Sequence, residues 1–317
     1  MGSSFTEAVR QSLVVMKNEI KKYFSGKRMF VFLALLGIIV FVIVFAPYMF
    51  GNEANPTYFL MMSSLVVLMA STLFASISIV SEYEERTALI VFTRPIRKTS
   101  IFAGKALACL VLTIGFTALY YIIAIIVSAA VKGSVSGDMF TSFGLACAYA
   151  FGTIGIAMFV SSIMKKGSTA TIITFVILAI IITAFSLVLN AANVDSFWMI
   201  DQAAGSIETC SRDYRDMTNA AIEQLINALM DPTNFIHFDK FASNLDTYQG
   251  VIIAPDVLLN GLVPNLADSA WDLSALANNT GAMEVKAPDY VRDTFVMIGW
   301  GVVGMVAAFV AFLRREF

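Results

Sequence analysis

Charge is what this 317-residue chain has least of. Asp, Glu, Lys and Arg make up 14% of it, against 58% apolar residues. A soluble domain carries about 25% charged and about 45–50% apolar residues. A surplus of that size has no soluble core of this length to hide in. A secreted, nucleic-acid-binding or disordered chain is therefore excluded. Histidine is nearly missing too, since His237 is alone and lies far from the apolar runs. Of three cysteines, Cys109 and Cys147 sit inside apolar stretches and only Cys210 lies among polar residues, so there is no disulfide framework. No HExxH, CxxC or GxSxG pattern occurs. Gly104-Lys105 has no glycine five positions upstream and is followed by Ala106, so it is not a phosphate-cradling loop. The pairs Asp213/Asp216 and Asp195/Asp201 lack the dense carboxylate spacing of a Ca²⁺ loop. The chain reads as neither an enzyme nor a cofactor binder.

What is present is a set of long apolar runs. A bilayer core of about 30 Å needs roughly 20 apolar residues as helix. Six stretches qualify: Met29–Phe50, Tyr58–Val80, Ile101–Val131, Met139–Ile163, Thr169–Leu189 and Thr294–Leu313. Their only charged residue is Lys105, read as lying in the first turn of the third. No small-residue cleavage site follows a short apolar core, so no cleavable signal peptide is expected. The fold class is an all-α integral membrane protein with six transmembrane helices. Ion-coupled carriers keep ionisable groups at mid-membrane depth, and these spans have none. If the protein moves a solute, the energy comes from a partner.

Basic residues set the orientation. Fifteen of them fall on one side: six before the first span, five from Arg86 to Lys105, then Lys165, Lys166, Arg314 and Arg315. The short loops of the other side carry only Lys132. Both termini are expected in the cytoplasm, in a multi-pass protein of the cell membrane. Residues 190–293 form a long outer segment with 15 acidic and five basic residues, expected to be a small, mostly helical extracytoplasmic domain. The expected organisation is a cytoplasmic amphipathic helix over 1–28, five spans over 29–189 with a cytoplasmic loop at 81–100, the outer domain, and the sixth span with a basic tail over 294–317.

Two segments on the basic side carry further signals. Phe5, Val9, Leu13, Met16, Ile20 and Phe24 recur at steps of three and four, a single helical stripe with Arg10, Lys21 and Lys22 elsewhere on the helix. Such a basic amphipathic helix is expected to lie flat in the lipid interface, with docking on a partner subunit as the other reading. The loop after the second span carries Glu82, Glu84, Glu85, Arg86 and Thr87, then an apolar stretch, then Arg94, Pro95 and Arg97. A charged, short-helical loop with an apolar face suits docking to a cytosolic protein. The other reading is a basic loop held by anionic lipid.

In that loop the sequence resembles the permease subunits of type-2 ABC transporters. The residues that carry the resemblance are Glu82, Thr87, Leu89, Pro95, Arg97, Gly104 and Lys105, and Arg86 departs from the family's usual glycine. The plan of N-terminal helix, six spans and enlarged outer segment agrees with it. The resemblance implies an ATP-driven exporter in which a separate cytosolic ABC ATPase holds ATP and Mg²⁺. It implies a second permease copy or a related permease as partner, and ATPase contacts on the 81–100 loop and the N-terminal helix. The alternative is a non-transporting receptor, scaffold or ATPase-linked sensor that binds a ligand through its outer domain. Spans rich in Ser, Thr, Phe and Met favour an apolar, amphipathic or lipid-like cargo.

Overall fold

A computed structural model describes residues 2–49, 57–84, 97–132, 137–192, 196–210 and 289–314. The expectations for Glu85, Arg86, Thr87, Arg94, Pro95 and the outer domain beyond Cys210 lie outside the described residues, as does the side chain of Phe5. Every regular element among the described residues is a helix. Six are long and apolar enough to cross a membrane: Met29–Pro47, Tyr58–Ser78, Lys98–Val131, Asp138–Ile163, Gly167–Leu189 and Tyr290–Arg314. They are the six spans predicted, and the chain is a multi-pass membrane protein. An N-terminal helix, Gly2–Ser25, precedes them. A five-residue helix, Val80–Glu84, follows the second span, and a ten-residue helix, Ile200–Thr209, follows the fifth.

The spans differ in how much they hide. The second and fourth are 67% and 61% buried within the chain, whereas the first and fifth are 17% and 22% buried. The second and fourth are thus the central posts, and the first and fifth turn most of their surface away from the rest of the chain. Water exclusion does not drive helices together inside a bilayer, so close packing must. The fourth and sixth spans meet along a glycine seam. A Cβ on Gly155 would lie 2.5 Å from the Gly301 carbonyl oxygen, and one on Gly304 would lie 2.5 Å from the Gly155 carbonyl carbon. Both obstacles are backbone, so neither can swing aside. Gly152 belongs to the same seam, facing the Met297 carbonyl. Ala157 and Ala308 extend the small-residue packing and are fully buried.

The third span is the longest helix, Lys98–Lys132, with 35 residues. At 1.5 Å per residue it is about 50 Å long, well beyond the hydrocarbon thickness. It starts earlier than predicted because the Arg97 carbonyl accepts the amides of Ser100 and Ile101 at 2.9 and 3.2 Å. Lys105 therefore sits two turns inside the helix, not in its first turn. The fifth span contains a π-helical turn, Ile177–Ile181, between two α-helical halves. Near the other end of the third span, Tyr120 donates to the Phe59 carbonyl at 2.7 Å and fixes the second and third spans to each other.

Phe102, early in the third span, packs on Phe309 and Phe312, late in the sixth, with ring centroids 5.3 and 5.9 Å apart. The N-terminal helix and the end of the sixth span therefore share one end of the bundle, called basal below. The helix Ile200–Thr209 packs against the second, fourth and sixth spans at the opposite end. It belongs to the same compact unit as the spans.

Candidate functional site

The second span stops at Ser78, turns at Ile79 and resumes as the short helix Val80–Glu84. In a continuous helix the Ser78 carbonyl would accept the Glu82 amide. Here that amide bonds the Ile79 carbonyl instead, at 3.3 Å, and the Ser78 carbonyl needs another donor. Lys105 supplies it, with Nζ 2.7 Å away. On the other side of the elbow, the amides of Ile79 and Val80 both donate to Ser161 Oγ of the fourth span at 3.1 Å. The break is thus held by side chains from two other spans.

Lys105 is fully buried. Its ammonium has three donors, and three acceptors meet it: the Ser78 carbonyl, Glu19 Oε1 at 2.6 Å and Glu82 Oε1 at 2.9 Å. The two carboxylates are themselves mostly buried. Glu19 comes from the N-terminal helix and Glu82 from the elbow helix. One ammonium therefore ties together three elements that are far apart in sequence. Charges taken out of water cost several kcal/mol each unless paired and hydrogen-bonded, and here each carboxylate has one oxygen within hydrogen-bonding distance of the shared ammonium.

Gly104 explains how the N-terminal helix comes near enough. A Cβ there would fall 2.6 Å from the Ser12 carbonyl oxygen and 2.7 Å from Val15 Cβ. The Gly-Lys pair is a contact point followed by a reaching charge. Above it lies an aromatic knot: Tyr23 meets Phe74 edge-on at 5.4 Å, Phe74 stacks on Phe116 at 5.4 Å, and Phe32 touches both. Tyr23 also donates its hydroxyl to the Phe74 carbonyl at 2.7 Å.

Glu82 and Glu84 are two residues apart, so on a helix they diverge by about 200°. Glu82 turns inward to Lys105. Glu84 turns the other way and accepts the Gly167 amide at 2.8 Å. Gly167 opens the fifth span, whose free amides and dipole favour an anion there. Lys22 of the N-terminal helix donates to Ser81 of the elbow at 3.4 Å.

The structure thus brings Glu82 and Glu84 into intramolecular contacts and leaves Arg97 exposed at the start of the third span. The predicted stripe of the N-terminal helix faces away from the bundle at Val9, Leu13 and Phe24, with Met16 and Ile20 half-buried. The face that meets the third span is the one next to it: Ala8, Ser12, Val15, Glu19 and Tyr23. Sequence reasoning missed Glu19 and this second stripe. Its signal was available, because these positions repeat the apolar stripe's spacing one residue earlier.

The opposite end carries a different polar cluster. Asp293 is buried, its Oδ1 bonded by Arg292 Nε and Nη2 at 3.1 and 3.0 Å and its Oδ2 by Ser206 of the helix 200–209. Arg292 also lies over the Phe197 ring, 5.4 Å from its centroid. Ser142 receives the Tyr121 hydroxyl contact at 2.7 Å and donates to the Ile207 carbonyl at 2.7 Å. Trp300 donates to the Trp198 carbonyl at 2.9 Å. Asp201 accepts from Ser186 at 2.6 Å, and burial pushes its carboxyl above the ordinary range despite that bond. Among the described residues no group of three histidine, cysteine or carboxylate side chains is arranged to hold a metal ion.

Residues 13–317 match the family described as ABC-2 family transporter protein, all but the first twelve positions of the chain, and the chain belongs to that family. No curated protein matches it.

Proposed function

From its place in the ABC-2 transporter family, we propose that this permease works as half of an ATP-driven exporter whose energy enters at the basal elbow. A separate cytosolic ABC ATPase docks on the segment 81–100, and a second copy or a related permease completes the unit. The observation that carries this is the Lys105 cluster. It joins the N-terminal helix, the elbow and the third span through three bonds to one ammonium. A load on the elbow reaches the third span through Glu82 and the fifth span through Glu84. The same load reaches the N-terminal helix through Glu19. Such a stapled corner moves as one body, which a rigid-body switch between two packings requires.

The basic residues of this end support its cytoplasmic placement. In this reading Glu82 is a positioning residue rather than an ATPase contact. Its side chain is 8% exposed and already engaged. The exposed Arg97 and the segment following Glu84 provide the docking surface.

The test pairs two variants in the reconstituted complex. Lys105→Met strands two carboxylates, and it is expected to abolish coupling between ATP turnover and transport. Glu19→Gln with Lys105→Met and Glu82→Gln removes all three charges and is expected to restore folding but not coupling. Full coupled transport in the triple variant would sink the lever reading. Absence of any ATPase in material purified from native membranes would sink the partner assignment.

A further inference from the structure

The N-terminal helix has two acids, and the structure separates them. Glu19 turns inward and is consumed by Lys105 at 2.6 Å. Glu7 is exposed, at the helix's N-terminal end. The cations separate as well. Lys22 reaches back to Ser81 of the elbow. Arg10, Lys17 and Lys21 are exposed, and among the described residues none of the three makes an ion pair or hydrogen bond. At 100° per residue they fall within about 40° of one another, directly opposite the face that packs on the third span. Beside that basic line runs the exposed apolar stripe of Val9, Leu13 and Phe24. The helix is three-sided: one side on the protein, one apolar, one cationic.

A surface of apolar side chains bordered by a straight row of unpaired cations, on a chain that spans a bilayer, matches one occupant by charge and by polarity. We infer that Arg10, Lys17 and Lys21 bind the phosphate groups of anionic lipids while Val9, Leu13 and Phe24 enter the adjoining acyl region. An interfacial helix with basic residues along one edge gains affinity from both contributions. Folding sharpens this site. The inward turn of Glu19 removes an acid that would otherwise lower the stripe's charge. The lipid then pins the helix that holds one end of the Lys105 cluster, a consequence that rests on the lever reading above.

The site can be tested on the isolated full-length chain, without any ATPase, so its failure is separate from failure of the exporter reading. Native mass spectrometry of the chain in neutral detergent, titrated with equal amounts of phosphatidylglycerol and phosphatidylcholine, reads the preference directly. The wild type is expected to retain the anionic lipid selectively. Each basic residue near a membrane surface contributes about a fivefold factor. Arg10→Gln with Lys17→Gln and Lys21→Gln should therefore weaken retention on the order of a hundredfold, and Lys21→Gln alone about fivefold. Lys17→Arg with Lys21→Arg should keep it. A control that neutralises the exposed Lys165, Lys166 and Arg314 should leave the preference intact. Unchanged retention in the first triple variant, or an equal loss in the control, overturns the assignment. Competition by millimolar inorganic phosphate would show a free-anion site and overturn the lipid reading as well.

Discussion

At the basal end a lysine with no exposed surface stands between two glutamates, whereas at the opposite end Asp293 leans on an arginine that is 40% exposed. Both ends bury carboxylates, but the neutralising charge is captive in one and wet in the other. The basal lysine is pinned by elements far apart in sequence, and removing it strands charges in a dry place. The far-end arginine is the neighbour of its own acid, so its loss is softened by water. The basal corner is therefore built to stay one shape, and the far end is built from contacts that can be remade.

Breaking the basal side should give the largest effect. Lys105→Met leaves two buried carboxylates without their cation, and uncompensated buried charge costs about 3–5 kcal/mol. The thermal unfolding midpoint of the purified chain should fall steeply. The triple neutral variant described above should recover most of that loss, because replacing a buried ionic group by apolar or neutral groups is often tolerated. If Lys105→Met unfolds like the wild type, the captive side of the comparison is wrong.

The seam between the ends comes next. Gly155→Val drives a side chain into the Gly301 backbone. Overpacking of this kind costs about 1–3 kcal/mol. Crosslinking between the fourth and sixth spans should weaken along with the unfolding midpoint. An unchanged crosslinking yield would mean that the helices do not approach this closely.

The wet end should respond less. Arg292→Ala removes a half-exposed partner and should cost on the order of 1 kcal/mol, in the range of single charged hydrogen bonds and exposed pairs. A loss as large as that of Lys105→Met would erase the difference between the two ends.

The smallest effect is a pH dependence at Asp201. Its folded carboxyl titrates above the ordinary value because burial disfavours the charged form. The folded state therefore holds this proton more tightly than the unfolded chain does. This contribution is most favourable below the ordinary carboxyl value. It declines as pH rises between that value and the raised one, and stays low above both. Asp201→Asn should flatten that slope in a plot of unfolding midpoint against pH. An unaltered slope would assign it to another group.

Much of the fold is legible in the sequence. Six runs with a single charge among them, Lys105, are long enough to span, and their hydropathy needs no tertiary partner to be read. The boundaries shift by a few residues where local bonds decide, as at Arg97. Which side of a helix meets which neighbour is harder to read. The N-terminal helix has two stripes at the same spacing, and hydropathy selects the apolar one. The structure buries the adjacent stripe because Gly104 permits contact there and Lys105 needs Glu19. The seam is similar: Gly152 and Gly155 are visible as small residues, but nothing local names Gly301 and Gly304 as their partners. Glu82 stood out as an acid after the second span. Its inward direction depends on the turn at Ile79, which leaves the Ser78 carbonyl in need of a donor.

The Lys105 cluster also has an order in time. Both carboxylates precede the ammonium in the chain, Glu19 by 86 residues. At about 5–20 residues per second of synthesis, that interval is on the order of ten seconds. During it the first two spans can enter the bilayer on their own hydropathy, but the corner beneath them has no keystone. Arrival of the third span then closes it. A nascent chain halted before residue 105 should leave the N-terminal helix open to protease, and one halted beyond residue 132 should protect it.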